Sequence, residues 1–254
     1  FLKSKVKDLS TSVFDKKMSL YKDANITFVG CSRWLSGRAK KSYLLRGKAV
    51  LSIPNPIDTK VYHPMDQGMA RELLGLPSGK RLLLFGALNV TDKRKGIDYL
   101  IEALRRMEKQ DVELVVFGQV KDDIRGLFPV PIHSMGYLSD ESKIVALYNA
   151  VDMFITSSLE ENLPNTIMES MACGTPCVGF EIGGIPEMID HRVNGYVANY
   201  KDAGDLANGI QWVLEHADRL ALSDACVKKV PENYTEEVVA KQYTALYEKL
   251  LKGE

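Results

Sequence analysis

Two glutamates in the middle of the chain, Glu161 and Glu169, have the type and spacing of a pair that could bind a polyhydroxylated ligand. Pro164 suits the first turn of a helix and Gly174 suits its end, so a helix is predicted over 164–173. Carboxylates accept hydrogen bonds in pairs, as vicinal sugar hydroxyls require, and a helix N-terminus favours phosphate. The alternative is two solvated surface glutamates, because the chain has 33 acidic residues.

Two further segments carry residues that could act on the same ligand. A basic cluster, Lys93-Arg94-Lys95, stands directly before Gly96. These cations could neutralise a diphosphate and stabilise it as a leaving group, or they could form a solvated turn. The pair Gly183-Gly184 could let the backbone approach a ligand closely, or could make a tight turn.

Each of these segments follows an apolar run that is predicted to be a buried parallel strand. Near-continuous apolar runs of this kind occupy 82–85, 112–117, 153–156 and 177–180. Because amphipathic helical patterns separate the runs, the sequence predicts an α/β fold with a doubly wound parallel sheet. Ligands bind such sheets beyond the carboxyl ends of the strands. The basic cluster, the glutamates and the glycine pair are therefore expected to meet at one edge.

Other chemistries find little support. Cys173 and Cys177 could suggest a metal or redox pair, but the first ends a predicted helix and the second enters a strand, so two small core residues are expected. The four histidines are scattered without a ligand spacing, so no metal site is predicted. The glycine signatures of Rossmann dinucleotide sites and of P-loops are absent from the sequence.

The composition is that of a globular protein. The chain has 254 residues, of which 45% are hydrophobic and 26% charged, which excludes disordered, collagen-like and coiled-coil chains. The apolar runs are too short to span a bilayer. With four cysteines and no signal-like segment, a cytoplasmic protein is expected. The first residue is Phe rather than Met, which suggests a fragment.

The charges are distributed unevenly along the chain. The 33 basic and 33 acidic residues give a net charge of zero, yet residues 1–48 hold 12 basic and three acidic residues. Two surfaces with different partners are therefore expected. No nucleic-acid partner is predicted. The segment 32–48 mixes basic residues with Trp34 and Leu35. It could lie on an anionic membrane, or be an ordinary domain surface.

The two ends of the chain differ from the alternating part. Strands are expected at 26–30 and 49–53, with a helix over 33–44 capped by Ser32. Two prolines make 54–66 a predicted linker. A last helix is expected from Thr235, and it needs a surface for an apolar stripe made of Val239, Tyr243, Leu246 and Leu250.

Together these stretches resemble the C-terminal half of the GT-B-fold retaining glycosyltransferases, specifically glycosyltransferase family 4. Glu161 and Glu169 are similar to the family's two glutamates, which are separated by seven residues. The resemblance begins at about Asn25, and its other motifs lie at 53–58, 86–96, 136–139, 150–152, 158–176 and 183–187. The implied fold is GT-B, with a Rossmann-like donor domain and part of a second Rossmann-like domain.

The resemblance implies a nucleoside diphosphate sugar as donor. Glu169 would bind the ribose hydroxyls, and Glu161 would hold hydroxyls of the transferred sugar. Lys95, aided by Arg94, would neutralise the diphosphate, so that Glu161 and Lys95 are the catalytic candidates. The other implied donor-binding residues are Gly86, then Gly136, Tyr137 and Leu138 beside the base, and Asn162, Leu163, Asn165 and Thr166, whose backbone N–H groups would meet the sugar and phosphate.

The resemblance also implies a reaction that retains the anomeric configuration and needs no cofactor or metal. It implies a saccharide or lipid-linked saccharide as the acceptor, in polysaccharide synthesis. Two positions depart from the family pattern. Ala87 replaces a frequent arginine, which makes Lys93 or Arg94 the candidate second cation, and Asn162-Leu163-Pro164 replaces Gly-Phe-Gly. Two alternatives remain open, namely a nucleotide-sugar epimerase of the same fold and a non-catalytic nucleotide-sugar binding module.

The implied organisation has four parts. Residues 1–53 would end an N-terminal acceptor domain, 54–66 would be the hinge, 67–234 the donor domain, and 235–254 a helix that crosses back to the first domain. The protein is expected in the cytoplasm, with its basic N-terminal part able to contact the inner face of the membrane.

Overall fold

The structure is a computed structural model that describes residues 9–107, 111–119, 126–216 and 218–253. Residues 1–8 of the expected N-terminal part and residue 254 of the last helix lie outside these ranges. The described strands are β1 (Thr27–Gly30), β2 (Ala49–Ser52), β3 (Arg81–Asn89), β4 (Val112–Gln119), β5 (Ile132–Gly136), β6 (Met153–Thr156), β7 (Cys177–Phe180) and β8 (Gly195–Ala198).

Helices precede, separate and follow these strands. The described helices are α1 (Leu9–Lys22), α2 (Arg33–Lys40), α3 (Gln67–Leu74), α4 (Ile97–Arg106), α5 (Glu141–Ala150), α6 (Asn165–Ala172), α7 (Ile185–Met188), α8 (Ala203–Glu215), α9 (Arg219–Asn233) and α10 (Glu236–Leu251). Short 3-10 helices lie at Tyr43–Leu45 and Lys93–Lys95.

A parallel sheet of six described strands carries most of the core. Its order is β5-β4-β3-β6-β7-β8, and β6 and β7 are buried along their whole length. Residues of α5 and α6 pack with Leu84 and Phe154 on one face, whereas α4 and α8 pack with Leu83 and Ile155 on the other. This confirms the predicted doubly wound α/β fold, in which apolar strands are covered on both faces.

A second, two-stranded parallel sheet is formed by β1 and β2. The last helix packs beside it, because Val239 and Leu246 of α10 are buried with Ile53, the residue that follows β2. Tyr243 is partly buried in this cluster. Leu250 was predicted to share the stripe, but its surface is 43% exposed, so the packed face ends one turn earlier.

Several predicted boundaries are corrected by the structure. Strand β3 continues to Asn89, so Gly86 and Ala87 lie inside the strand rather than after it, because Gly86 still pairs with Phe117 of β4. Helix α2 ends at Lys40 instead of 44. After Lys40 the chain makes a tighter turn, in which the N–H of Ser42 donates to the carbonyl of Ala39, three residues earlier, at 2.9 Å.

The segment 54–66, all of which is described, contains no helix or regular strand. Its one ladder contact is at Ile57, whose N–H donates to the carbonyl of Tyr234 at 2.8 Å and which bridges Thr235. Both chain segments that connect the two sheets therefore run side by side. Among the described residues, no helix has the length and apolar character needed to cross a bilayer.

Candidate functional site

The strand order reverses between β3 and β6, and the loops after these two strands carry Lys95 and Glu161. A reversal of this kind opens a crevice at the carboxyl edge of a doubly wound sheet. The N–H of Leu159 donates to the carbonyl of Arg94 at 2.7 Å, and Ser157 Oγ donates to the carbonyl of Lys95 at 3.0 Å. The basic cluster is thus held against the loop that contains Glu161.

Gly96 makes this close approach possible. Its φ is 64°, and a Cβ atom there would lie 2.0 Å from the carbonyl oxygen of Ser157. A side chain at this position would therefore push the loop that carries Lys95 away from the loop that carries Glu161.

The third loop joins the same edge through its glycines. The N–H of Gly184 donates to the carbonyl of Asn162 at 2.5 Å, and a Cβ atom on Gly183 would lie 2.0 Å from the carbonyl of Glu161. The predicted meeting of three loops is therefore confirmed. The space beside these glycines is filled by the protein's own backbone.

Lys95 and Glu161 form an ion pair through Nζ and Oε1. Ser158 Oγ donates to the same carboxylate oxygen at 3.0 Å, a contact that the sequence did not predict. Both side chains are partly buried, so water screens the pair less than it would on an open surface. A cation and an anion therefore stand together beside the N-terminus of α6.

Arg94 has a partner within its own turn. Its guanidinium contacts Asp92, with Nη2 at 2.6 Å from Oδ2, and this hydrogen-bonded contact lowers the pKa of Asp92 to about 2. Lys93 and Arg94 are exposed, whereas Lys95 is partly buried. Of the three cations, Lys95 is the one paired with a predicted site carboxylate.

The N-terminus of α6 lies in the same loop. Pro164 occupies the N-cap position, one residue before its predicted place, and makes no side-chain cap. The N–H of Ile167 donates to the carbonyl of Pro164 at 3.1 Å, whereas the N–H groups of Asn165 and Thr166 have no acceptor among the described residues and can meet an anion. Leu163 is buried in the core, Thr166 is partly buried, and exposed Asn165 accepts a hydrogen bond from Asn55 at 3.4 Å.

Glu169 lies one turn further along α6 and is partly buried. Tyr148 of α5 donates its hydroxyl to Glu169 Oε2 at 2.8 Å. Burial raises the pKa of Glu169, and the hydrogen bond from Tyr148 opposes this rise. The carboxyl is therefore held in one orientation at the edge of the core.

The remaining predicted residues lie on β3 and after β5. A Cβ atom on Gly86 would lie 1.8 Å from the ring of Phe117, so packing against that ring accounts for the glycine. Gly136 ends β5 with a φ of 62°. Tyr137 after it is exposed, and Leu138 packs against the core that contains α5 and α6.

Side-chain contacts across distant parts of the chain were not predicted. Glu187 of α7 accepts from the N–H groups of Arg33 and Trp34 at 2.9 and 2.7 Å, and so caps α2. Ser32 Oγ donates to Asn162 Oδ1 at 2.5 Å. These contacts join α2, the helix between β1 and β2, to α7 and to the loop that carries Glu161.

The predicted core role of the cysteines is confirmed. Cys173 and Cys177 are buried, and burial raises the pKa of both thiols to about 12. Over the described ranges, no three His, Cys, Asp or Glu side chains are grouped so that they could hold a metal ion.

Comparison with known proteins identifies relatives of this arrangement. The family described as "Glycosyl transferases group 1" matches residues 79–216. The N-acetyl-alpha-D-glucosaminyl L-malate synthase of Bacillus anthracis is 24% identical over 213 residues, which are 82% of this chain and 55% of that protein. The N,N'-diacetylbacillosaminyl-diphospho-undecaprenol alpha-1,3-N-acetylgalactosaminyltransferase of Campylobacter jejuni is 32% identical over 118 residues, which are 46% of this chain and 31% of that protein.

A solved structure shows the same fold. Anabaena HepE in complex with UDP and glucose superposes with a TM-score of 0.76 and 18% identity, covering 94% of this chain and 68% of that one. The chain spans about half the length of the Bacillus anthracis relative. The two sequence relatives are named as a synthase and a transferase, and these names give no support to the epimerase and binding-module alternatives.

Proposed function

Because the chain belongs to the glycosyl transferases group 1 family, we propose that its six-stranded domain binds a nucleoside diphosphate sugar for a retaining glycosyltransferase of family 4. The observation that carries this proposal is the placement of the Lys95–Glu161 ion pair beside the uncapped N-terminus of α6. That group can hold a diphosphate and an adjoining sugar together. HepE, which shares the fold, was solved with UDP and glucose.

The residues along α6 match the parts of such a donor. At ~1.5 Å per residue, Glu169 lies about 6 Å along the axis from Asn165, a spacing that suits a ribose next to a diphosphate. Glu169 would accept from the ribose hydroxyls, and the first-turn N–H groups would meet the phosphates. Glu161 would hold the sugar, while the residues at 136–138 would flank the base.

The proposed chemistry needs positive charge where the leaving group forms. As the bond between the sugar C1 and the diphosphate oxygen breaks, Lys95 and the α6 dipole would stabilise the developing negative charge without a metal ion. The acceptor hydroxyl would attack C1 from the same face and pass its proton to the departing phosphate oxygen. This route retains the anomeric configuration.

The acceptor would be bound by the N-terminal part of the chain, residues 1–53. We propose 54–66 as the hinge, 67–234 as the donor domain and 235–254 as the helix that returns to the first domain. The burial of α10 against Ile53 supports this division. A saccharide or lipid-linked saccharide is the proposed acceptor, in line with the undecaprenol-linked substrate in the name of the Campylobacter relative.

We expect the basic part of the chain to bind anionic membranes from the cytoplasmic side. Trp34 is 40% exposed, with Arg38 6.0 Å from its ring centroid, and such pairs suit the interface of an anionic leaflet. Sedimentation with phosphatidylserine vesicles should show binding that weakens as salt rises, and Lys40→Gln with Lys41→Gln should reduce it. Equal binding to phosphatidylcholine vesicles, or no binding, would argue against the membrane contact.

Glu169→Ala tests the donor site directly. The variant loses charged hydrogen bonds worth about 1.5–3 kcal/mol each, so affinity for the nucleoside diphosphate should fall about 30-fold or more. Titration calorimetry with UDP, GDP and ADP would measure it, and Glu160→Ala, which removes an exposed neighbouring carboxylate, is the matched control. Unchanged affinity in Glu169→Ala would refute this site.

A further inference from the structure

We propose that Tyr148 is a positioning residue for the donor site: its hydroxyl fixes one oxygen of Glu169 so that the other faces the ribose. This inference rests on the proposed function, because it assigns Tyr148 a role in the same nucleotide site. It concerns a residue on α5, a different element from the one that carries Glu169.

Tyr148 is held in place by its surroundings. Only 1% of its surface is exposed. Its ring meets those of Phe117 and Phe154 edge-on, at centroid distances of 6.2 and 6.0 Å, and its carbonyl accepts from Thr175 Oγ1 at 2.7 Å. Since both the ring and the backbone are anchored, the hydroxyl has one position, and that position is 2.8 Å from Glu169 Oε2.

The hydrogen bond from Tyr148 occupies one oxygen of the Glu169 carboxylate and leaves the other oxygen available as an acceptor. Among the described residues, Oε2 accepts from Tyr148, and no described donor contacts Oε1. An ionised carboxylate has acceptor sites on both oxygens. Oε1 can therefore take ribose hydroxyls while Oε2 stays tied to the core.

The same contact controls the charge of Glu169. The groups that face it are Tyr148 and Glu141 from α5, Tyr62 from the 54–66 segment and Cys173, the residue that follows α6. Burial and the negative charge of Glu141 raise the pKa of Glu169, whereas the Tyr148 hydrogen bond lowers it. No described cation is among these groups, so the hydroxyl is what favours the ionised form.

The ionisation of Glu169 should make nucleotide affinity depend on pH. Ribose hydroxyls donate best to an ionised carboxylate. Without the hydroxyl of Tyr148, the pKa of Glu169 rises further, and a larger share of the protein is protonated at any given pH. Loss of nucleotide affinity on acidification should therefore begin at a higher pH in Tyr148→Phe than in the unchanged protein.

The test is calorimetric titration of the unchanged chain and its variants with the tightest-binding diphosphate among UDP, GDP and ADP, from pH 5 to 8. Tyr148→Phe should weaken binding about 3- to 10-fold at neutral pH. The fall in affinity on acidification, the acid limb of the pH profile, should begin at a higher pH. Tyr196→Phe is the matched control, because Tyr196 is also buried and donates to a carboxylate, Asp205 Oδ1, at 2.9 Å on the far side of the sheet. It should leave both affinity and pH profile unchanged.

The outcomes separate the two proposals. If Glu169→Ala weakens binding but Tyr148→Phe changes neither affinity nor the pH profile, the positioning role is wrong and the donor site stands. A uniform weakening in Tyr148→Phe without a shifted acid limb would also overturn it, since that result indicates a loss of packing alone. If Glu169→Ala has no effect, the donor site itself fails.

Discussion

Lys95→Ala should weaken binding of the nucleoside diphosphate about 30- to 100-fold and leave the affinity for the nucleoside monophosphate nearly unchanged. Lys95 is the cation that pairs with Glu161 at the carboxyl edge of the sheet, where the second phosphate and the sugar would lie. Hydrogen bonds to charged groups contribute about 1.5–3 kcal/mol, which corresponds to factors of about 10 to 150 and so includes this range. A monophosphate would still use Glu169 and the first turn of α6.

The rate should fall more than the affinity. Charge on the leaving diphosphate grows as the sugar bond breaks, so the contact is stronger in the transition state than in the bound ground state. Release of the nucleoside diphosphate from its sugar should slow by about 10²- to 10³-fold. EDTA should leave the unchanged protein's rate intact, and NMR of the product's anomeric proton should show retention.

Lys228→Ala is the control for loss of a positive charge, since Lys228 is exposed on α9. Lys95→Arg should recover part of the affinity, because arginine keeps the charge. If Lys95→Ala lowered the affinities for the nucleoside monophosphate and diphosphate equally, Lys95 would not be binding the second phosphate. If EDTA stopped the reaction, the metal-independent chemistry would be wrong.

The sequence predicted the sheet well where strands are buried on both faces. Strands β6 and β7 have the predicted bounds, because a four-residue apolar run with a turn on each side has few other structures. Strand β5 was missed, since it is partly exposed and contains His133 and Ser134, which break the apolar run. Helix α9 was missed because its apolar pattern is weak and Pro231 lies inside it.

The site was predictable at the level of loops and not of side-chain pairs. The carboxyl-edge rule placed Lys95 and Glu161 on neighbouring loops. No spacing rule pairs Tyr148 with Glu169, or Glu187 with the N–H groups of α2, because those contacts depend on how separate elements pack. Spacing rules cover contacts within one element, such as i, i+3 and i, i+4 pairs on a helix.

The largest effect on stability is expected from a substitution at the amino end of β6, opposite to the candidate site. The side chain of Asp152 is 3% exposed, and its carboxylate accepts from the N–H of Leu82 at 2.6 Å and from Arg71 at 3.1 Å. It also pairs with Arg219, and with Arg81 at 3.6 Å. One buried carboxylate thus joins α3, β3 and α9 to the start of β6.

Asp152→Ala should therefore lower the free energy of unfolding by about 3–5 kcal/mol, because it leaves the buried guanidinium of Arg71 without its counter-charge. The melting temperature should fall by roughly 10 °C. Asp190→Ala, which removes a half-exposed partner of Lys229, should cost at most about 1 kcal/mol.

Nucleotide affinity measured well below the melting temperature separates stability from binding. Asp152 lies at the amino end of β6, about 13 Å from Thr156 at ~3.3 Å per residue, and the candidate site lies beyond Thr156. Folded Asp152→Ala protein should therefore bind the diphosphate as tightly as the unchanged chain. A large loss of affinity in folded protein would mean that the two ends of β6 are coupled, and that the donor site depends on this ionic cluster as well as on its own loops.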